Sequence, residues 1–261
     1  MRRLIFALLL VIISVNAHAQ MKVRVAAYEF APYYSKYLDS SLTSDLIDAL
    51  NAYQDTYEFV LQEVPAATRY RALSKKGCCD VMFFEDIDWG WNRKGETVQA
   101  VQPLIQGSDR FVALKQPGRT QAYFKDLTDK RLGGINGYHY SFTNYHTDRK
   151  FLEQHYNMYL ADSHVACLRL LLHGRLDVIV LNDEFLAALQ NAKEDYLDKL
   201  LISQRHDQQY KLSILVADNK AVSATIIRQL IRELGRNGTI DQLFRRYNLS
   251  RFQIYRSRGV H

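Results

Sequence analysis

One pattern occurs twice in this sequence, and it limits the fold more than any other feature. Leu73-Ser74-Lys75-Lys76-Gly77 runs into Cys78-Cys79-Asp80-Val81, and Leu171-Leu172-His173-Gly174 runs into Arg175-Leu176-Asp177-Val178. Each reads as a helix end, a glycine stop, a turn, an aspartate and a strand. The strands Val81-Met82-Phe83-Phe84 and Val178-Ile179-Val180-Leu181 are apolar without alternation, as strands covered on both faces are. Further strands are expected at Val23 to Ala27, Tyr57 to Val64, Phe111 to Leu114 and Lys211 to Val216. Helices are expected after a cap at Thr43 or Ser44, at Thr68 to Lys75, in part of Phe142 to Tyr156, after Ser163, at Glu184 to Gln190, at Ala221 to Leu234 and at Thr239 to Tyr247. The order β-α-β-α-β thus appears twice, so the fold class is α/β with two lobes. Ligands of open α/β sheets bind beyond the carboxyl ends of strands, and two such lobes face to face enclose a cleft.

The first 19 residues have a different character. Met1-Arg2-Arg3 is basic, Leu4 to Val15 is apolar apart from Ser14, and Ala17-His18-Ala19 ends the stretch with small residues. This is the order of a secretory signal cleaved after Ala19, and the apolar run is too short for a spanning helix of about 20 residues. Residues 1–19 are therefore read as a signal peptide and the remainder as an exported, periplasmic protein. No cysteine follows the cleavage point to carry a lipid anchor. The formal net charge of +6 is spread along the chain, with short clusters such as Arg245-Arg246, which reads as solvated surface rather than a nucleic-acid site. Seventeen Tyr, 12 Phe and two Trp are enough to line a cleft as well as a core.

Three cysteines, Cys78, Cys79 and Cys167, do not make a disulfide scaffold. A bridge between the neighbours Cys78 and Cys79 closes a strained small ring, so a free thiol pair is expected, with a link from either to Cys167 left open. His139, His146, His155 and His164 form no metal spacing with them, and neither metal nor cofactor is expected.

Several stretches taken in order resemble the family 3 extracellular solute-binding proteins, which have the type II periplasmic binding fold. They are Tyr28-Glu29-Phe30-Ala31-Pro32-Tyr33 after the first strand, Leu73 to Val81, Ser108-Asp109-Arg110-Phe111-Val112-Ala113, Phe124-Lys125-Asp126-Leu127 with Lys130 to Gly137, Gly174-Arg175-Leu176-Asp177-Val178, and Asn237-Gly238-Thr239 through Tyr247. The resemblance implies a discontinuous first lobe of residues 20–108 and 214–261 and a second lobe of 109–213. It implies a hinge at two crossovers, near Ser108-Asp109 and Lys211-Leu212. Ligand gripped by both lobes would shift an open–closed equilibrium toward closed.

The same resemblance nominates ligand groups. Phe30 stands where the family stacks its ligand, or else is core. Arg93 is near the place of the carboxylate-binding arginine, or else is a surface residue; a guanidinium suits a bidentate carboxylate. Trp89-Gly90-Trp91 offers two rings at the cleft mouth, either or both of which contact ligand or anchor the structure. Gly137-Tyr138-His139-Tyr140-Ser141 replaces the family's small hydroxyl residues with Tyr138 and His139. Asp183 is the candidate partner for a ligand amine, or else a helix cap. The implied function is capture of a small polar solute, an amino acid or a relative, by a monomer serving an inner-membrane ABC permease. Alternatives are a sensor that reports ligand to a receptor and an enzyme of the cyclohexadienyl dehydratase kind, for which His139 and Glu85 would be the acid–base pair.

Overall fold

The computed structural model describes residues 19–91, 97–218 and 220–255. The segment read as a signal peptide, apart from Ala19, and Arg93 lie outside the described residues. Among the described residues no helix is long and apolar enough to cross a membrane.

The first lobe opens with strand β1 (Met21–Ala27), helix α1 (Leu42–Tyr53), β2 (Tyr57–Glu63), the short α2 (Arg69–Leu73) and β3 (Val81–Glu85). Ser41, rather than Thr43 or Ser44, caps α1, accepting the Ser44 N–H and leaving Leu42, Leu46, Ile47 and Leu50 on the buried face. All five residues of β3 are buried, as its unbroken apolar run requires. β1 pairs in parallel with β2 and β3, the arrangement that α/β crossovers produce.

After β4 (Val98–Ala100) and β5 (Ile105–Leu114) the chain enters the second lobe. Here β6 (Leu132–Ile135), α3 (Arg149–Tyr156), β7 (Met158–Ala161), α4 (His164–Leu172), β8 (Val178–Asn182) and α5 (Asp183–Ala192) follow in turn. β6 runs parallel to both β7 and β8. The chain then returns along β9 (Leu200–Ala217) and closes with α6 (Ala224–Arg236) and α7 (Thr239–Arg246).

The sheet order is β2-β1-β3-β9-β5-β8-β6-β7, with β4 also on β9. β9 is the common spine. Its 18 residues extend over roughly 60 Å, and it pairs with β5 from Leu200 to Leu212 and with β3 and β4 from Ser213 to Ala217. The strand expected at Lys211 to Val216 is therefore only the end of this element. Its beginning includes Gln204-Arg205-His206-Asp207, a polar run that pairs with β5 but lacks the apolar pattern of a buried strand. One apolar cluster fills the first lobe, and two lie in the second.

The thiols also need correction: Cys78 and Cys79 form a disulfide with each other, and Cys167 is free and buried. The pair lies at the turn between α2 and β3. The Asp80 carboxylate anchors that turn by accepting the Arg24 backbone N–H at 2.7 Å.

Candidate functional site

Four turns that follow strands meet between the lobes. The first follows β1, where Phe30 is bridged to Tyr34 and brings Tyr28, Phe30 and Tyr33 inward. The second follows β3. Phe84 takes a φ of 57°, rare for a bulky residue, and the β3–β9 register shifts between Met82 and Glu85. That irregularity lets both Phe84 and Glu85 be buried, at 1% and 0% exposure. The chain then turns at Gly90, whose φ of 86° separates Trp89 from Trp91. The third turn follows β6. Gly137 has φ 85°, and a Cβ there would lie 2.4 Å from the Ala67 backbone nitrogen, so the two lobes touch backbone to backbone. The fourth follows β8, where the Asn182 side chain accepts the Phe185 N–H, capping α5, and donates to the Ala31 carbonyl of the first lobe at 2.9 Å.

These turns enclose a cavity of about 10 Å³, lined by Tyr28, Phe30, Arg69 and Trp89 from one side and Asp109, Tyr138, His139 and Gln208 from the other. That is room for about one water. The aromatic walls are closely joined: Phe30 meets Trp89 at 5.8 Å and Tyr138 at 5.7 Å, both edge-on, and Trp89 meets Tyr210 at 5.0 Å.

Arg69 is the centre of the polar contacts. Its Nε donates to Glu85 Oε1 at 3.0 Å, and its Nη1 donates to the carbonyls of Ala66 at 2.8 Å and Gly137 at 2.9 Å. Its Nη2 lies 3.2 Å from His139 Nδ1. Glu85 also accepts from the Tyr28 hydroxyl at 2.5 Å and the Trp91 indole at 2.9 Å. Burial opposes the charge on Arg69, but Glu85, Tyr28 and Tyr70 together outweigh it and hold the guanidinium above its ordinary pKa. The lobes are also tied by the Tyr138 hydroxyl donating to the Glu29 carbonyl at 2.6 Å.

A second group of acids sits on the other side. Asp109 of β5 accepts from Gln208 Nε2 at 2.7 Å. Burial first, then Asp207, Glu184 and Asp183, push its pKa well above the ordinary range despite the Gln208 bond. Glu184 is fully buried beside Gly107 and accepts from the hydroxyls of Tyr33 at 2.8 Å and Tyr210 at 3.2 Å. Burial raises its pKa to about 7.

Of the residues nominated from sequence, Phe30, Trp89, Tyr138 and His139 line one cavity. Trp91 is 0% exposed and packs edge-on against Tyr70 at 4.9 Å, so it anchors the site from behind. Arg93 falls outside the described residues. Asp183 stands apart from the lining: it accepts from Ser108 Oγ at 2.5 Å and from Arg110 Nε at 2.6 Å, and Asn182 rather than Asp183 caps α5. Four lining residues were not nominated: Tyr28, Arg69, Asp109 and Gln208. A carboxylate inside the apolar-rich strand Ile105–Leu114 was a usable signal for Asp109. Arg69 carried none, because Glu85 is 16 residues away and no local spacing links them.

No protein-family model and no curated protein matches the sequence. Solved structures do match its shape. The ligand-binding core of GluR0 from Nostoc punctiforme, in complex with L-glutamate, is 17% identical with a TM-score of 0.66, covering 87% of this chain and 99% of that one. An ABC uptake transporter substrate-binding protein from Streptococcus pneumoniae with bound histidine is 16% identical with a TM-score of 0.70, covering 90% and 95%. The ancestral amino acid-binding protein AncCDT-1, a precursor of cyclohexadienyl dehydratase, is 13% identical with a TM-score of 0.63, covering 87% and 95%. The chain has the type II periplasmic binding fold. This is the fold class expected from the sequence. Within the type II periplasmic binding fold, this chain fills the interlobe site with aromatic rings and an internal ion pair.

Proposed function

We propose that this chain is a solute-binding protein that captures a small polar solute, an amino acid or a relative, between its lobes. In this reading the lobes are residues 20–108 with 214–261 and residues 109–213, and they move as a hinge on β5 and β9. The mature protein is a periplasmic monomer, released by cleavage after Ala19, and hands its solute to an ABC permease or a sensor. The observation that carries the reading is the shared cavity, to which each lobe contributes both aromatic rings and buried polar groups. Such groups can grip one solute together only when the lobes are shut, which couples binding to closure. The proposed ligand set is Phe30, Trp89, Tyr138 and His139, joined by Tyr28, Asp109 and Gln208. Trp91, Arg93 and Asp183 are left as supporting candidates.

The solute is expected to leave unchanged. Glu85, the base an enzyme would need beside His139, already accepts from Tyr28, Arg69 and Trp91, which favours binding over proton transfer. Thermal-shift screening of the mature protein against amino acids, amines and small carboxylates tests the reading, since a ligand of the native state raises the melting temperature. Scattering with the best compound should show a smaller radius of gyration, and mass spectrometry should recover it intact. Turnover of the compound would move the protein among the enzymes.

A further inference from the structure

The charge around the inner cavity is unequal on its two sides. On the first lobe's side Arg69 and Glu85 form a pair at 3.0 Å, with side-chain exposures of 2% and 0%, so together they present little net charge. On the second lobe's side Asp109 is 5% exposed and lines the cavity, and Gln208 is the one side-chain donor to its carboxylate among the described residues. Arg110, the next residue along β5, is committed elsewhere: it pairs with Asp183 at 2.6 Å and donates to the carbonyls of Ser203 and Gln204. The remaining walls are aromatic. One of these rings already faces a cation, the Arg69 guanidinium carbon lying 5.3 Å from the Tyr28 centroid, and Phe30, Trp89 and Tyr138 are the other rings of the lining.

We infer that the inner cavity selects a small organic cation, an amine or guanidinium on a short apolar body, and that Asp109 is the residue that reads its charge. The inference rests on the solute-binding reading above and narrows it. A solute carboxylate would have to compete with Glu85 for Arg69 and would approach Asp109, a buried acid that offers it no positive partner. A cation meets the opposite situation. It would face Asp109 across a pocket from which water is excluded, and the rings would supply the rest of the attraction. The raised pKa of Asp109 agrees with this, because an isolated buried carboxylate beside other acids lacks the positive partner that would restore its charge. The closed cavity admits about one water, so the cation enters with the lobes parted and is enclosed as they shut.

Matched compounds separate the cases. The mature protein is titrated calorimetrically at neutral pH, and its melting temperature followed, with phenethylamine, L-phenylalanine and 3-phenylpropionate, and with agmatine beside L-arginine. The expected result is that at least one carboxylate-free cation binds no more than threefold weaker than its amino acid, while 3-phenylpropionate does not bind. Asp109→Asn should weaken that cation at least tenfold and Asp177→Asn, in the partly exposed pair with Arg131, less than twofold. Asp109→Glu, which keeps the charge, should retain more affinity than Asp109→Asn and guards against a folding defect in the latter. Binding by the amino acids alone, or by 3-phenylpropionate, overturns the cation inference and leaves the solute-binding reading intact. Unchanged cation affinity in Asp109→Asn also overturns it. No binding by any of the five, together with no response to the wider screen, ends both.

Discussion

The two lobes bring buried charge to the same cleft by different means. In the first lobe Glu85 is paired with Arg69 and has further donors in Tyr28 and Trp91, and this pairing helps hold the buried guanidinium in its charged form. In the second lobe Glu184 accepts from the hydroxyls of Tyr33 and Tyr210 with no cation paired to it among the described residues, and burial lifts its pKa to about 7. The first arrangement is a compensated pair; the second is an acid whose proton is held by its surroundings. A buried carboxylate is thus made tolerable either by an opposite charge or by losing its own, and the choice decides how each lobe answers mutation and pH.

The largest expected effect tests the compensated side. Glu85→Ala leaves Arg69 charged and buried, and should cost about 3–5 kcal/mol in urea unfolding. A loss under about 1 kcal/mol would mean that the pair is no compensated unit. Glu184→Gln tests the other side, and its sign depends on pH. A carboxyl raised from 4.5 to about 7 on folding binds its proton more tightly when folded, so stability falls as pH rises from 4.5 to 7 and stays low above that. The glutamine variant should therefore gain roughly 3 kcal/mol at pH 8, gain almost nothing at pH 4, and flatten the pH profile of stability between them. An unchanged profile would place the group responsible elsewhere.

Asp183→Asn probes a case between these two. Its partner Arg110 is partly exposed, so the expected loss is about 1 kcal/mol in the same unfolding assay. Replacing Cys78 and Cys79 together by alanine should have the smallest effect. A bridge between neighbours restricts very little unfolded chain, and solute affinity should not change; a loss well above about 1 kcal/mol would assign the disulfide a larger structural part.

What the sequence made legible follows from how local the signals were. The twin helix–glycine–aspartate–strand passages placed β3 and β8, and with them the turns that carry Trp89 and cap α5. Phe30, Tyr138 and His139 were found because they follow strand ends, where α/β clefts form. The Arg69–Glu85 pair could not be read, since it depends on a bulge at Phe84 and on a helix that begins 16 residues earlier. The first half of β9 was hidden because partly exposed strands need not be apolar. The cysteine expectation assumed that the strain of a small ring would keep the thiols unbridged, whereas Cys78 and Cys79 are joined at the turn before β3.

Gly137 has one further consequence. Because the Ala67 nitrogen would lie 2.4 Å from any Cβ at this position, a single methyl group would act as a doorstop between the lobes. In the solute-binding reading it would bias the protein toward an open form and lower affinity, parting the Gly137 carbonyl from Arg69 while leaving every lining side chain in place. In the proposed solute-binding reading, strength of capture can thus be adjusted by an atom at the rim, while the choice of cargo stays with the side chains inside.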